Sequence, residues 1–421
     1  MQRPVLCFLA SVLALVAQAG LPEPVIPEGV GVNIHFVTGH EKDLDMIAAA
    51  GFRYVRMDFT WAGIERKKGE YDWAGYDELL RHLESRKLKA LFILDYSNPL
   101  YEDSVTSGNP IDGQVRKTTA APQKPESIAA FARWAGAAAA RYAGRSVLWE
   151  IWNEPNIQFW PPKPDVEQYI RLASATCEAV RSNAPQATLV APATSGFPWE
   201  FLEKVLQSGL LSILDAVSVH PYRDYKSGPE TAAKDYKRLR ELIDKHAPPG
   251  KKIPILSGEW GYATHDKGVT PETQAAFAVR QQLANLLYDV PLSIWYDWKN
   301  DGPDPAEREH NFGTVNQDLT PKPAYHALQV MTRELTGFRV AGRLPLEAPQ
   351  QFVLLCTNAA GMKKLAAWST EKPDTLKLQV DTQTAKPARV TLGNGETTSA
   401  KMENGKLILE LQSLPAYVSF E

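Results

Sequence analysis

Two glutamates stand in stretches suited to acid–base and nucleophilic work. Glu154 lies in Trp149-Glu150-Ile151-Trp152-Asn153-Glu154-Pro155-Asn156, and Glu259 in Ile255-Leu256-Ser257-Gly258-Glu259-Trp260-Gly261. Each ends a short apolar run of strand character, and Pro155 stops the first run because it cannot donate to a strand ladder. Two carboxyl groups facing each other can break a glycosidic bond, one protonating the departing oxygen while the other attacks the anomeric carbon. A separation of about 5 Å means retention of configuration through a covalent intermediate, and a clearly longer one means inversion.

Positioning such a pair demands elements that bring distant residues to one rim. From residue 30 to about 336, β-rich runs alternate with amphipathic helical patterns. The expected strands are Val30–Phe36, Arg53–Phe59, Ala90–Tyr96, Val147–Trp152, Ala187–Ala191, Ala216–Val219, Ile253–Glu259 and Leu292–Tyr296. They are short, rich in Val, Ile and Leu, and only weakly alternating, as strands covered on both faces should be. Eight strand–helix units in strict order predict a (β/α)8 TIM barrel, an α/β fold in which the fourth and seventh strands lie across the barrel from each other. Long connections at 97–122, 155–165 and 297–321 all follow strand carboxyl ends, the face where such barrels build sites. After Gly337 helical periodicity disappears. Runs at Gln351–Leu355, Leu365–Trp368, Leu376–Val380, Arg389–Leu392, Lys406–Leu411 and Ala416–Phe420, with turn signals at Asn394-Gly395 and Asn404-Gly405, predict a small antiparallel β-sandwich. The expected division is a signal peptide over 1–19, the barrel over 20–336 and the sandwich over 337–421.

Composition narrows the classes of function. Arg3, the apolar run Val5–Val16 and the small-x-small Ala17-Gln18-Ala19 read as an export signal cleaved near Ala19, which implies a secreted or periplasmic protein. That run is too short to span a bilayer, and no later segment is long and apolar enough. With 46 Lys+Arg against 49 Asp+Glu and no basic run, nucleic acid is not an expected partner. Cys177 and Cys356 have apolar neighbourhoods and read as two buried thiols rather than a disulfide. No His or Cys pair has metal-ligand spacing and no Gly-rich phosphate loop appears, so neither metal nor cofactor is expected.

In its motifs the chain resembles the clan A glycoside hydrolases, of the family 5 and family 39 type, the latter with a C-terminal β-sandwich. The resemblance rests on Asn153-Glu154-Pro155 ending the fourth strand, Glu259 the seventh, Arg56 the second, His220-Pro221-Tyr222 the sixth and Trp295 the eighth. It implies retaining hydrolysis of β-linked oligosaccharide or polysaccharide, with Glu154 as acid/base and Glu259 as nucleophile. It further implies that Asn153 holds the sugar 2-hydroxyl, that Arg56 and Tyr222 orient Glu259 and keep it ionised, that His220 lines the site, and that Trp295 floors it. Charge logic agrees: a nearby Arg56 favours the carboxylate form of Glu259, and Glu154, facing that fixed negative charge, should hold its proton to a higher pH. His35, Trp61, Trp160, Trp298 and the segment Glu309–Gly313 are further rim candidates, the tryptophans because rings stack on apolar sugar faces.

Plainer readings stand beside these. Arg56 has ready ion-pair partners in Asp58 or Glu150, His220 has the character of a core histidine, and most tryptophans simply pack. Arg116-Lys117, the one basic pair near the long loops, reads as a solvated loop. A non-catalytic glycan-binding protein and a transglycosylase are the alternative functions. Oligomeric state is not legible.

Overall fold

The computed structural model describes residues 20–109, 113–379 and 387–420; the expected export signal and Val380 lie outside them. Eight parallel strands close into a barrel: β1 Val30–Asn33, β2 Tyr54–Thr60, β3 Lys89–Asp95, β4 Val147–Ile151, β5 Thr188–Ser195, β6 Ala216–His220, β7 Ile255–Trp260 and β8 Ser293–Trp295. Each pairs with its sequence neighbours and β8 returns to β1. The eight expected helices all form, from Glu41–Ala49 to Pro323–Leu335. Local chemistry sets several starts. Asp165 accepts from the Gln168 amide and Thr270 from that of Thr273, while Pro125, Pro271 and Pro323 occupy first-turn positions that need no donor.

The strand period of two explains the barrel's interior. Tyr54, Leu91, Leu148, Val190, Ala216, Leu256 and Ile294 form one apolar cluster, a plug drawn from seven strands. Two residues farther along β2, β4 and β6, on the same face, come Arg56, Glu150 and Ser218, all buried. The barrel thus carries a polar floor on an apolar base at the strand carboxyl ends.

The C-terminal region is antiparallel. Strands β9 Phe338–Arg343, β10 Gln351–Asn358, β11 Lys363–Ser369, β12 Asp374–Gln379, β13 Pro387–Thr391, β14 Thr397–Ser399, β15 Lys401–Glu403, β16 Lys406–Leu411 and β17 Ala416–Phe420 build a six-stranded sheet (β9-β10-β11-β17-β13-β14) and a three-stranded one (β12-β16-β15). Both expected turns occur, with Asn404 and Gly405 at φ 49° and 76° joining β15 to β16. β9, β14 and β15 escaped the sequence reading; β14 and β15 are only three residues long. Alternation gives the large sheet two buried faces. Val353, Leu365, Ala367, Ala416 and Val418 pack with Leu407, Leu409 and Leu411 of the small sheet. Phe352, Leu354, Cys356, Ala366, Trp368 and Tyr417 join the core of the barrel. Trp368 Nε1 donates to Glu230 Oε1 (2.8 Å), which also receives Arg280 Nε (2.7 Å), and Arg280 Nη1 reaches Ser413 Oγ (2.9 Å). Cys177 and Cys356 are buried free thiols, and burial pushes both up to about 12. Among the described residues no helix is long and apolar enough to cross a membrane.

Candidate active site

Arg56 organises the site. It is 1% exposed, and each of its five N–H groups meets an acceptor. Nε donates to Glu150 Oε2 (2.7 Å); Nη1 donates to Glu259 Oε2 (2.6 Å) and Asn33 Oδ1 (3.3 Å); Nη2 donates to Asn153 Oδ1 (2.8 Å) and lies 3.3 Å from His220 Nε2. The plainer reading, an ion pair with Glu150, is therefore present together with the functional one. Because a guanidinium only donates, His220 Nε2 must be the acceptor and Nδ1 must carry the imidazole proton. That proton points to Glu154 Oε1, 2.9 Å away. Burial drives the His220 pKa down to about 4, so the ring is neutral and its tautomer fixed. Arg56 thus reaches Glu259 directly and Glu154 through one imidazole.

The two glutamates are held differently. Glu259 takes Arg56 on one oxygen and the Tyr222 hydroxyl on the other (2.8 Å). Burial, with the Glu259 charge second, raises Tyr222 well above the ordinary phenol range and keeps it a donor. Glu154 is 6% exposed and its pKa rises to about 7. The direction is the expected one, but the leading cause is burial rather than the charge of Glu259; Ser195, Arg56 and Arg308 pull it partly back. Glu154 also sits at φ 46° and Trp152 at φ 68°, left-handed conformations that side-chain-bearing residues seldom adopt. The Glu154 amide is tied to Ala193 O (2.9 Å) at this strained turn. A carboxyl oxygen of Glu154, a ring nitrogen of His220 and a carboxyl oxygen of Glu259 all lie within 4.8 Å of one another. Such a triad has metal-ligand character, but the Arg56 guanidinium already supplies the cation that Glu259 faces.

One backbone position permits this packing. A Cβ on Gly258 would come within 2.3 Å of Ser218 Oγ, 2.8 Å of Glu150 Oε1 and 3.3 Å of His220 Nε2. Only glycine lets β7 pass that close to the polar floor.

The cavity above the glutamates has a volume of about 430 Å³ and is lined by Asn33, His35, Asp58, Tyr96, Asn153, Ser195, Tyr222, Tyr296, Arg308, Glu309 and Phe312, among others. Of the expected residues it gathers Glu154, Glu259, Asn153, Arg56, Tyr222 and His35, with His220 buried directly beneath. Asn153 spends its oxygen on Arg56 and one N–H on the Tyr96 hydroxyl (2.9 Å), leaving its second N–H for a ligand. His35 Nε2 lies 3.3 Å from Asp297; burial presses its pKa down, but the bond to Asp297 and that charge outweigh it and raise it to about 9.

The tryptophans are corrections. Trp295 is 0% exposed and does not line the cavity. Ile294 belongs to the interior plug, so strand parity turns Trp295 outward, where its Nε1 meets Phe312 O, and brings Tyr296 inward. Trp61 lies in the core, stacked on Tyr101 and against Phe131 and Trp134, with Nε1 on Glu65. Trp298 is wedged near Tyr325 with Nε1 on Asp43 (2.8 Å), and Trp160 packs on Trp152 and Tyr169. The cavity's aromatic lining is instead Tyr96, Phe159, Tyr222, Tyr296 and Phe312. Within the segment Glu309–Gly313, Glu309 and Phe312 do line it, beside Arg308. Asp58 carried a sequence signal that was not used, lying two residues past Arg56 on the same strand face. Tyr96 carried one as well, as the last residue of the expected strand Ala90–Tyr96, whereas Phe159 carried none, because a loop path places it.

Comparison with known proteins agrees with this architecture. Residues 24–302 match the family model described as Cellulase (glycosyl hydrolase family 5). A Beta-xylosidase of Caldicellulosiruptor saccharolyticus is 26% identical over 215 residues, covering 47% of this chain and 43% of that protein. A Beta-xylosidase of Geobacillus stearothermophilus is 26% identical over 204 residues, covering 44% of this chain and 40% of that protein. The matches thus span less than half the length of these two relatives. Among solved structures, a family 39 glycoside hydrolase from Bacteroides cellulosilyticus superimposes with a TM-score of 0.79 at 24% identity, covering 93% of this chain and 81% of that one. A family 39 Beta-xylosidase from Caulobacter crescentus gives 0.68 at 19% identity, covering 96% and 98%. Sharing its barrel and C-terminal sheets with family 39 structures and matching the cellulase model over most of the barrel, the chain belongs to the glycosyl hydrolase family 5 group of clan A.

Proposed function

We propose that this protein hydrolyses β-glycosidic bonds with retention of configuration. Glu154 protonates the departing oxygen while Glu259 attacks the anomeric carbon, giving a covalent glycosyl-enzyme; Glu154, now a carboxylate, then takes a proton from the water that releases the sugar. The observation that carries this reading is the approach of the two carboxyl groups to within 4.8 Å at the cavity floor. Retaining glycosidases hold theirs about 5–5.5 Å apart, whereas inverting ones need about 6.5–9.5 Å to admit a water. Burial raises Glu154 to about 7, so it keeps its proton closer to neutrality than an ordinary carboxyl group, and Arg56 and Tyr222 each donate to one oxygen of Glu259 and aim it. The names of the two curated relatives support β-xylosides as the first substrates to try. We also propose export, from Arg3, Val5–Val16 and Ala17-Gln18-Ala19; a secreted product beginning near Gly20 supports it, and retention of the full chain in the cytoplasm contradicts it.

The test is a screen of aryl β-glycosides and β-linked polysaccharides with Glu154→Gln and Glu259→Ala alongside. Loss of turnover in both, with partial rescue of Glu259→Ala by azide or formate, is the expected result. Turnover unchanged in both variants overturns the assignment. Glycan binding without turnover in the unsubstituted protein moves the reading to a binding protein.

A further inference from the structure

A pair of acids stands on the cavity wall, and the catalytic reading makes no use of it. Arg56 pairs in register with Leu91, Asp58 with Ile93 and Thr60 with Asp95. Leu91 belongs to the interior plug, so the strand period of two turns Ile93 and Asp95 inward as well, beside Arg56 and Asp58. Asp58 is half-buried and lines the cavity, whereas Asp95 is 0% exposed behind it. Asp95 lies within hydrogen-bonding reach of Asp58, and among the described residues no N–H or O–H donates to either of its oxygens. Two carboxyl groups in contact do not both ionise. Burial first, and then the charge of Asp58, raises Asp95 well above the carboxylate range. Asp95 is therefore the acid of the pair, and its O–H donates to Asp58.

One proton does not fill Asp58, because a carboxylate offers about four acceptor positions. The cations that line the same cavity are directed elsewhere. Arg56 spends its donors on Glu150, Glu259, Asn33, Asn153 and His220; His35 faces Asp297 at 3.3 Å; Arg308 lies 3.7 Å from Glu309. Asp58 thus presents acceptor capacity to the cavity with a buried donor behind it. Its neighbour on this wall is a donor. The Tyr96 hydroxyl accepts from Asn153 (2.9 Å) and lies close enough to Asp58 to feel its charge, which places the free Asn153 N–H near the Asp58 carboxyl group. A donor beside an acceptor matches two adjacent sugar hydroxyls, each of which can accept or donate. Resting on the glycosidase reading above, we propose that Asp58 determines specificity by accepting a hydrogen bond from the sugar 3-hydroxyl, next to the 2-hydroxyl expected on Asn153. Asp95 is the positioning residue that aims it. The substrate class is accordingly a β-glycoside whose reacting sugar has a free 3-hydroxyl; a unit substituted or branched at that oxygen is excluded.

Calorimetric titration of the Glu154→Gln protein reads binding without turnover. The probes are phenyl β-xyloside and its 3-deoxy analogue. The deoxy probe is expected to bind at least about tenfold more weakly, because it leaves a charged acceptor without its hydrogen bond. Adding Asp58→Ala is expected to shrink that ratio to within about threefold, while circular dichroism reports an unchanged fold. Adding Asp95→Asn in place of Asp58→Ala is expected to keep the ratio, since the amide N–H donates to Asp58 as the acid does, whereas Asp95→Ala is expected to lower it. Equal affinities of the Glu154→Gln protein for the two probes overturn the proposal without any further variant. A ratio that survives Asp58→Ala overturns it too, and equal ratios in Asp95→Asn and Asp95→Ala overturn the positioning role. Failure of the hydrolytic reading appears separately, as absent turnover of aryl β-glycosides by the unsubstituted protein.

Discussion

At the scale of single residues, the five donors of Arg56 carry the account. Two point charges and a polar floor are aligned by one planar group, so a lysine cannot stand in for it. Arg56→Lys is expected to lower kcat/KM by about a thousandfold or more, measured by steady-state kinetics on the best aryl glycoside. Glu154 gives a pH prediction with a defined sign. Its pKa rises from the ordinary 4.5 to about 7, so between those values the folded protein holds a proton that the unfolded chain has released. Activity that needs the protonated acid is therefore expected to fall as pH rises through about 7. The same proton makes a stability contribution that is full below about 4.5 and lost through about 7, worth at most about 3 kcal/mol. Glu154→Gln is accordingly expected to raise Tm at pH 8 relative to the unsubstituted protein and to change it little at pH 4. Equal Tm differences at both pH values contradict the buried-acid assignment.

At the scale of elements, the eight strands and eight helices were legible because short runs rich in Val, Ile and Leu alternate with helical periodicity, and Asn153, Glu154 and Glu259 were legible because strand ends define the rim. The tryptophans show where that reading stops. Trp295 and Tyr296 are adjacent, and parity alone decides which faces the sugar; the register shift between β7 and β8 hides that parity from the sequence. Trp61 looked like a loop aromatic but begins a one-turn helix over the core. Trp61→Ala is expected to cost about 3–5 kcal/mol in denaturant unfolding while leaving KM within about twofold. A large rise in KM with stability intact restores it to the sugar site. Gly258 of the nucleophile motif owes its place to the close pass of β7 over Glu150, Ser218 and His220, a contact the sequence does not show. The hairpin Ser104–Gly108/Val115–Thr119 and the place of Phe159 were not legible, since the conformation of a long connection depends on what it packs against.

At the scale of the whole molecule, the six-stranded sheet is part of the barrel's own core. One of its faces buries Phe352, Leu354, Trp368 and Tyr417 with barrel residues, and Trp368 completes the hydrogen bonding of the buried Arg280–Glu230 pair. A chain ending at residue 336 is expected to expose this apolar surface and leave Glu230 short of a donor. It should be insoluble or unfold at markedly lower temperature, read by soluble yield and thermal melting; a soluble, fully active barrel contradicts this view of the interface. The sequence placed a β-region there from its turns and alternation, but not that both faces of the large sheet are covered.

The central claim is that Glu154 and Glu259 act together by double displacement. Proton NMR of the first sugar released from an aryl β-xyloside, recorded before mutarotation, tests it most directly. The β-anomer is expected to appear first and the α-anomer only later by equilibration. Initial release of the α-anomer means direct attack by water and contradicts Glu259 as nucleophile.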